Sequence, residues 1–360
     1  MAKRIIIAVT NDLVTDQRVS RIADTLLNTG YNIELVGRVL SNSQKLSRKY
    51  KTKRFKLWFN KGALFYVNYN LRLFIYLLFN KFDIILSNDL DTLLSSFFIS
   101  KIRKKICIYD SHEYFTEVPE LVNRRIQKGI WEIIEKITLP NVEYCYTVSK
   151  SIADEYFVKY NKKFDVIRNL PLKKQVIHKK KENIIIYQGA LNIGRGIELM
   201  IDSMFYIPDY VLWIIGSGDI DKELKLLTKQ KGLNNRIKFF GRLSLEKLKD
   251  ITYQAKIGLS FEEDLGKNYR FALPNKLFDY IQANIPVLVS DLPEMKNVVK
   301  QYNIGEVIAE RNPKQIAKQI LKIVEDADKY TQYLKIASEE LCWENEKGKL
   351  LNIFKKALYS

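Results

Sequence analysis

The sequence predicts an α/β protein of two doubly wound parallel sheets, and three observations carry that prediction. Short β-branched runs alternate with helical periods along nearly the whole chain. At 360 residues the chain exceeds the usual single-domain size, so two domains of about 150 to 180 residues are expected. Near the middle the alternation is interrupted by "PLKKQVIHKKKE" (171 to 182), polar, basic and opened by a proline, as a surface linker would be. The expected organisation is a first domain over 1–172, a second over 173–340, and a terminal helix over 341–360 crossing back to the first.

The elements follow in order. "RIIIAVT" reads as a strand, and "VSRIADTLLNTG" as a helix with Val19, Ile22, Ala23, Leu26 and Leu27 on one face and Gly30 as its stop; "YNIELVG" completes a βαβ unit. "FDIILSND", a helix over 90–100, "KICIYDS", a long helix near 124–137, "VEYCYTVS" and "DVIRNLP" continue the series. The second series runs "NIIIYQG", helix 196–206, "YVLWIIGSG", helix 221–231, "RIKFFG", helix 244–254, "KIGLSF", helix 275–283, "IPVLVSD" and "IGEVI". Continuous apolar strands joined by helices imply parallel sheets covered on both faces. Three further segments after residue 312 are helical in period and complete no sheet.

Composition narrows the function classes. With 47% hydrophobic and 28% charged residues the chain reads as globular. Cys107, Cys145 and Cys342 are too far apart for a zinc site or a disulfide framework, so a reducing, cytoplasmic setting and no bound metal are expected. The most apolar window, "YNLRLFIYLLFNKFDIIL", is broken by Asn70, Arg72, Asn80, Lys81 and Asp83, so no membrane span is expected. The net charge is +18 and the first half is the more basic; such a charge attracts anions of any kind. Runs such as "KLSRKYKTKRFK" (45–56) read either as solvated surface or as contact with the inner face of an anionic membrane. A nucleic-acid partner is not expected, because basic and aromatic residues are not concentrated in one recognition element.

Doubly wound sheets bind ligands where helices follow the strand C-termini, which directs attention to five loops. "QGALNIGRG" places Gly189, Gly194 and Gly196 where the backbone can approach a ligand, with Arg195 at a helix start as half of a diphosphate site. In "IIGSGD", Gly216 and Gly218 suit a tight turn as well as a binding loop. Asn275 and Lys276 open a helix, where an ammonium beside free N–H groups suits phosphate oxygens. Asp279, about a turn later, reads either as a sugar-hydroxyl acceptor or as a first-turn acid complementing the helix dipole. In the first half, "TNDLVTDQRVSRIA" offers Asn11, Asp12, Asp16 and Arg18 to an acceptor, with Asp16 equally able to start the helix. "YDSHEYF" groups Asp110, His112 and Glu113 at a strand end; the chain's other histidine, His178, lies in the linker.

These motifs, in order, resemble those of the retaining nucleotide-sugar glycosyltransferases of the GT-B fold, family 4 (group 1), of the bacterial cell-surface polysaccharide type. "DQRVSRIADTLLNTGYNIELV", "YDSHE", "YQGALNIGRGIELMIDSM", "LWIIGSGD", "IKFFGRLSLEKL", "ALPNKLFDYIQANIPVLVSD" and "CWENE" stand in the family's usual sequence.

The resemblance implies two Rossmann-like domains facing across a cleft, an acceptor domain first and a donor domain second. It implies transfer of a hexose-type sugar from a UDP- or GDP-sugar, as co-substrate with no cofactor, to a glycan or lipid-diphosphate-linked acceptor. Arg195 would grip the donor diphosphate, Asp279 the ribose, His112 the transferred sugar, and Arg242 and Leu243 the base. The leaving diphosphate would take the acceptor proton.

There are departures. The family's second diphosphate cation falls at Ala190, leaving Lys276 to supply the charge, and its first glutamate falls at Phe271, with Glu262 or Glu263 the nearest acids. A sugar-nucleotide epimerase or hydrolase of the same fold, or a catalytically impaired nucleotide-sugar-binding protein, are the competing readings.

Overall fold

The computed structural model describes residues 2–14, 16–41, 43–122, 124–173 and 179–359. It divides into one unit of Met1–Asn169 with Lys347–Ser360 and a second of Leu170–Glu346. His178 and most of the basic linker lie outside the described residues.

The first unit contains β1 (Arg4–Asp12), α1 (Gln17–Asn28), β2 (Asn32–Val39), β3 (Lys51–Lys56), α2 (Gly62–Phe79), β4 (Ile84–Asn88) and α3 (Leu90–Ile102). It continues with β5 (Ile106–Ser111), α4 (Pro119–Val122), α5 (Arg125–Thr138), β6 (Tyr144–Thr147), α6 (Lys150–Tyr160) and β7 (Asp165–Val166). The strands form one seven-stranded sheet in the order β3-β2-β1-β4-β5-β6-β7, with every pairing parallel. Ile5, Ile6 and Ile7 of β1 and Ile84, Ile85 and Leu86 of β4 are fully buried, as central strands covered on both faces must be.

Strand β3 lies inside the run read from sequence as solvated surface. Its Lys51, Thr52 and Lys53 are exposed because it is an edge strand, where lysines discourage pairing with another chain. Helix α2 also departs from the expectation. Counted from Gly62 it is long and apolar enough to cross a membrane by length and composition, with Arg72 its only charge. Its inner face is nevertheless committed to this unit: Phe65, Tyr69, Leu73 and Leu77 are buried, and the Tyr69 hydroxyl donates to the Val9 carbonyl of β1.

The second unit contains β8 (Ile184–Gln188), α7 (Ile197–Ser203), β9 (Val211–Ile215), α8 (Asp221–Gln230), β10 (Ile237–Gly241), α9 (Leu245–Thr252) and β11 (Ile257–Ser260). Then come α10 (Lys267–Arg270), α11 (Asn275–Gln282), β12 (Val287–Val289), α12 (Pro293–Tyr302), β13 (Gly305–Val307), α13 (Pro313–Glu325) and α14 (Ala327–Glu340). The sheet is parallel, in the order β10-β9-β8-β11-β12-β13. α15 (Trp343–Tyr359) begins in this unit, and from Lys347 onward belongs to the first.

In both sheets the chain starts near the middle, builds outward, then returns to the other side of its first strand. That places a topological switch point between β1 and β4 in one unit and between β8 and β11 in the other, the position where open α/β sheets bind ligands.

Candidate functional site

At the β8/β11 switch point the second unit carries a buried charge cluster. Lys276, the second residue of α11, is 7% exposed and its Nζ donates to Glu262 Oε1 at 2.6 Å; Glu262, two residues beyond β11, is 0% exposed. Ser260 Oγ donates to Glu262 Oε2 at 2.7 Å, and Arg195 Nη1 lies 3.6 Å from Oε1. The Lys276 ammonium sits 4.2 Å from the Tyr187 ring centroid and the Arg195 guanidinium 4.8 Å from that of Tyr269, both within cation–π range.

Burial would push Glu262 up, but the Lys276 and then Arg195 charges, with hydrogen bonds from Lys276 and Ser260, hold it below the usual glutamate range. Lys276 moves down: burial dominates, Glu262 opposes, and the Arg195 charge adds repulsion.

The local fold explains why these groups meet. The Tyr280 hydroxyl accepts from the Gln188 N–H at 3.1 Å and lies 3.3 Å from the Ile186 and Leu259 carbonyls, pinning α11 where β8 and β11 part. Gly258 is required beneath it, since a Cβ there would fall 2.4 Å from the Tyr280 ring. Arg311 fixes the Glu262 backbone through the Phe261 carbonyl at 3.0 Å and Ser290 Oγ at 3.0 Å.

Asp279 is the fifth residue of α11, and α11 has no acid in its first turn, so the dipole-complement alternative fails. Instead its carboxylate accepts from Gln188 Nε2 at 3.0 Å, and Gln188 Oε1 accepts from Thr252 at 2.9 Å.

The glycines divide into two kinds. Gly189 (φ 145°) faces Lys276: a Cβ there would lie 3.5 Å from Lys276 Nζ. Gly194 and Gly196 instead make room for protein, Gly194 for the Leu265 side chain and Gly196 for the Phe261 carbonyl. Gly216 is a packing glycine of the same sort. At φ 140° its added Cβ would stand 1.8 Å from the Gly189 carbonyl oxygen, and at Gly218 a Cβ would stand 2.2 Å from that of Leu191.

Gly216→Ala is therefore expected to force the loops after β8 and β9 apart. It should cost about 1 to 3 kcal/mol in backbone strain alone, plus the clash. Gly232→Ala, with a positive φ of 66° and nothing within 4 Å of the added Cβ, isolates the strain. Urea unfolding that shows the two variants equally destabilised would refute the close-approach argument.

Asn275 is the exposed first residue of α11. Arg242 is exposed and its Nε donates to Ser217, tying the turn after β10 to the loop after β9, while Leu243 packs against the core of this unit.

The first unit carries its own cluster at the β1/β4 switch point. His112, just past β5, is held between two carboxylates: Nε2 is 3.0 Å from Asp110 Oδ2, and Nδ1 is 3.3 Å from Asp89 Oδ2. Its backbone N–H donates to Asp89 Oδ1 at 2.8 Å. Burial lowers the His112 pKa, but the Asp89 and Asp110 charges outweigh it and raise it to about 9. Asp110 is pushed up by burial and pulled down further by Arg18 and His112, to about 2. Asp89, with φ 58°, and Asp91, which accepts from Thr10 at 2.5 Å, are raised chiefly by burial, to about 6 and about 7.

The residues expected to meet an acceptor are largely engaged in structure. Arg18 is buried, clamping Asp110 through Nε (3.1 Å) and Nη2 (2.8 Å) and donating from Nη1 to the Ile167 carbonyl at 3.1 Å. It sets the site's charge from within rather than standing in an open loop. Asp16 caps α1 by accepting from the Val19 N–H at 3.0 Å, and Asn11 donates to it at 3.2 Å. Asp12 accepts from Ser43 and from Arg54 at 3.3 Å. The Glu113 carbonyl accepts from Ser111 at 2.7 Å.

Asp89, Gln188, Tyr187 and Arg311 escaped the sequence reading. For Asp89 the signal was present: an acid directly after the apolar strand "IILSN". Among the described residues no group of three or more His, Cys, Asp or Glu is placed to hold a metal ion.

Comparison with solved structures places this architecture. A sucrose-phosphate synthase from Thermosynechococcus elongatus superposes with a TM-score of 0.80 at 15% identity, covering 99% of both chains. Anabaena HepE in complex with UDP-glucose gives 0.77 at 13%, over 98% of this chain and 99% of that one. WaaG, a glycosyltransferase involved in lipopolysaccharide biosynthesis, gives 0.70 at 13%, over 98% of each. The fold is that of the GT-B glycosyltransferases.

Residues 170–340 match the family model described as glycosyl transferases group 1. An uncharacterised glycosyltransferase of Methanocaldococcus jannaschii is 24% identical over 241 residues, 59% of this chain and 60% of that protein, so the match spans about three fifths of the curated relative.

Proposed function

We propose that the protein is a retaining glycosyltransferase that moves a hexose-type sugar from a nucleoside-diphosphate sugar to a glycan or lipid-linked glycan acceptor in cell-surface polysaccharide biosynthesis. The observation that carries the donor half is the Arg195–Lys276 pair of cations beside Gly189 at the β8/β11 switch point. A diphosphate there meets one guanidinium, one ammonium and the N-terminus of α11, and Lys276 supplies the charge that Ala190 lacks. Asp279, oriented by Gln188, is the acceptor for ribose hydroxyls. HepE, a structure of the same fold, was solved with UDP-glucose, which makes uridine the first donor to test.

The chemistry divides between protein and substrate. With its pKa raised to about 9 and both ring nitrogens facing carboxylates, His112 is an imidazolium at neutral pH. It has no lone pair to take the acceptor proton and serves as a fixed positive charge. The departing diphosphate is then the base, and the protein's task is electrostatic stabilisation of the charge developing on it. Glu262, neutralised by Lys276 and Arg195, is no free nucleophile, in keeping with transfer that forms no glycosyl–enzyme bond.

The test is nucleotide-induced thermal stabilisation followed by turnover, with the anomeric configuration of the product read by NMR. A selective shift with one nucleoside diphosphate and retention in the product are expected. Arg195→Ala should lose about 10²- to 10³-fold in turnover, as removal of one transition-state charge partner does. Donor consumption at the same rate with and without acceptor would replace this reading with the hydrolase or epimerase one, and binding without turnover would replace it with a binding protein.

A further inference from the structure

Among the described residues, nearly half of the exposed large apolar side chains lie on three neighbouring helices of the first unit. On α5, Ile126, Ile130, Ile133 and Ile137 are all exposed, Ile126 at 79%, at spacings of four, three and four, so they form one stripe along the helix. On α2 the outward stripe is Leu64, Val67, Leu71, Ile75 and Leu78, ending in Phe79 at 79% exposure. The Tyr66 and Trp131 rings meet edge to face at 5.0 Å, joining α2 to α5, and α3, which packs against both, adds exposed Phe98 and Ile102. Ahead of α2, Trp58 is exposed with the Arg72 guanidinium 4.9 Å from its ring centroid. Scattered apolar residues need no explanation, but a continuous surface of this size does.

The charges around it indicate what covers it. Lys61, Lys81, Lys101, Lys104, Arg124 and Arg125 are exposed on or beside the three helices. No acidic side chain on them is exposed: α2 has none, Asp91 and Glu135 are buried, and Glu132 is half-buried. An apolar face whose helices expose cations and, among the described residues, no acid, with a tryptophan at its margin, matches the boundary between headgroups and acyl chains of an anionic bilayer. We propose that α2, α3 and α5 form a docking face that lies flat in the surface of an anionic membrane. Helix α2 does not leave the fold to span it, because its inner face is fixed by buried Tyr69 and Leu73. The inference does not depend on the transferase reading.

The test is sedimentation of the full chain with mixed phosphatidylcholine–phosphatidylglycerol vesicles and with pure phosphatidylcholine vesicles. Binding to the anionic vesicles, weakened by salt, is expected. Ile130→Glu/Ile133→Glu on α5 and Leu71→Glu/Ile75→Glu on α2 should each lower that partitioning on the order of tenfold. Lys104→Glu/Arg125→Glu should lower it comparably, since each basic group near the surface contributes about a fivefold gain. The substituted side chains are all exposed, and unchanged melting temperatures confirm that the variants fold. No vesicle binding by the intact chain overturns the proposal. So does binding that the α2 and α5 variants leave unchanged, or a self-associated species by light scattering that those variants dissociate, which would show that a second copy covers the face. If donor turnover is lost while vesicle binding persists, only the functional reading is at fault.

Discussion

Lys276→Met is expected to lower the unfolding free energy by about 3 to 5 kcal/mol, because it strands a buried carboxylate that has given up its hydration. Glu262 is completely buried and its short contact to Lys276 is the closest charge compensation it has; Arg195 stands 3.6 Å away and Ser260 donates one hydrogen bond. Glu262→Gln does the reverse and leaves an ammonium packed against Tyr187 with only an amide beside it. The double variant Lys276→Met/Glu262→Gln removes both charges and should recover much of the loss, since a buried pair exchanged for neutral groups is often close to neutral in stability. A double-mutant cycle by urea unfolding measures that recovery.

The same cycle separates stability from function. The double variant, although folded, should no longer show the donor-induced thermal shift, because it lacks the Lys276 ammonium that the diphosphate needs. Single variants within about 1 kcal/mol of wild type would mean that the pair is hydrated like a surface ion pair. A donor shift retained by the double variant would remove Lys276 from the diphosphate site.

The sequence makes the layers legible and leaves the junctions hidden. Continuous apolar runs such as "RIIIAVT" and "NIIIYQG" read as central strands, and the loops following strands are where such sheets hold ligands, so Arg195, Lys276, Asp279 and His112 can be singled out as candidates without coordinates. What a single chain does not reveal is which loops abut. Glu262 lies 14 residues before Lys276 in sequence and touches it only because α11 is hung from the Tyr280 hydroxyl between β8 and β11. Gly216 looks like a binding-loop glycine by its motif, and its actual constraint is the carbonyl of Gly189, nearly thirty residues earlier. β3 was obscured by its own charge, since an edge strand with one face in water needs little apolar signal. Arg18, read as reaching for an acceptor, is turned inward because Asp110, far along the chain, is fully buried and needs a bidentate partner.

That inward pair leads to a titration. His112 should titrate near pH 9 in the folded protein, and Asp89→Asn should bring it down by one unit or more toward 6.5, the value without its partners. Asp89 is the stronger of the two charges holding the proton on, and its side chain is a quarter exposed, so the variant should fold. With only two histidines in the chain, proton NMR of the imidazole resonances resolves the titration, and His178→Gln assigns it.

Stability carries the same signature. A group whose pKa rises on folding gives stability that is complete below its unfolded value and is lost as the pH passes its folded value. The contributions of Asp89 and Asp91 are thus gone once the pH has passed about 6 and about 7. That of Asp110, lowered to about 2, is intact above 3.8 and lost only as the pH falls through 2. Between about pH 7.5 and 9.5 His112 therefore dominates this cluster's pH response, and its release of a proton should cost on the order of 3 kcal/mol. Wild type should lose stability across that interval and His112→Gln should not. Asp110→Asn should be less stable at every pH above 4, because it strands the buried guanidinium of Arg18. A histidine that titrates at 6.5 in the folded wild type would show that the two carboxylates do not hold it as a cation. His112 would then be neutral at physiological pH, free to act as the base that this geometry denies it.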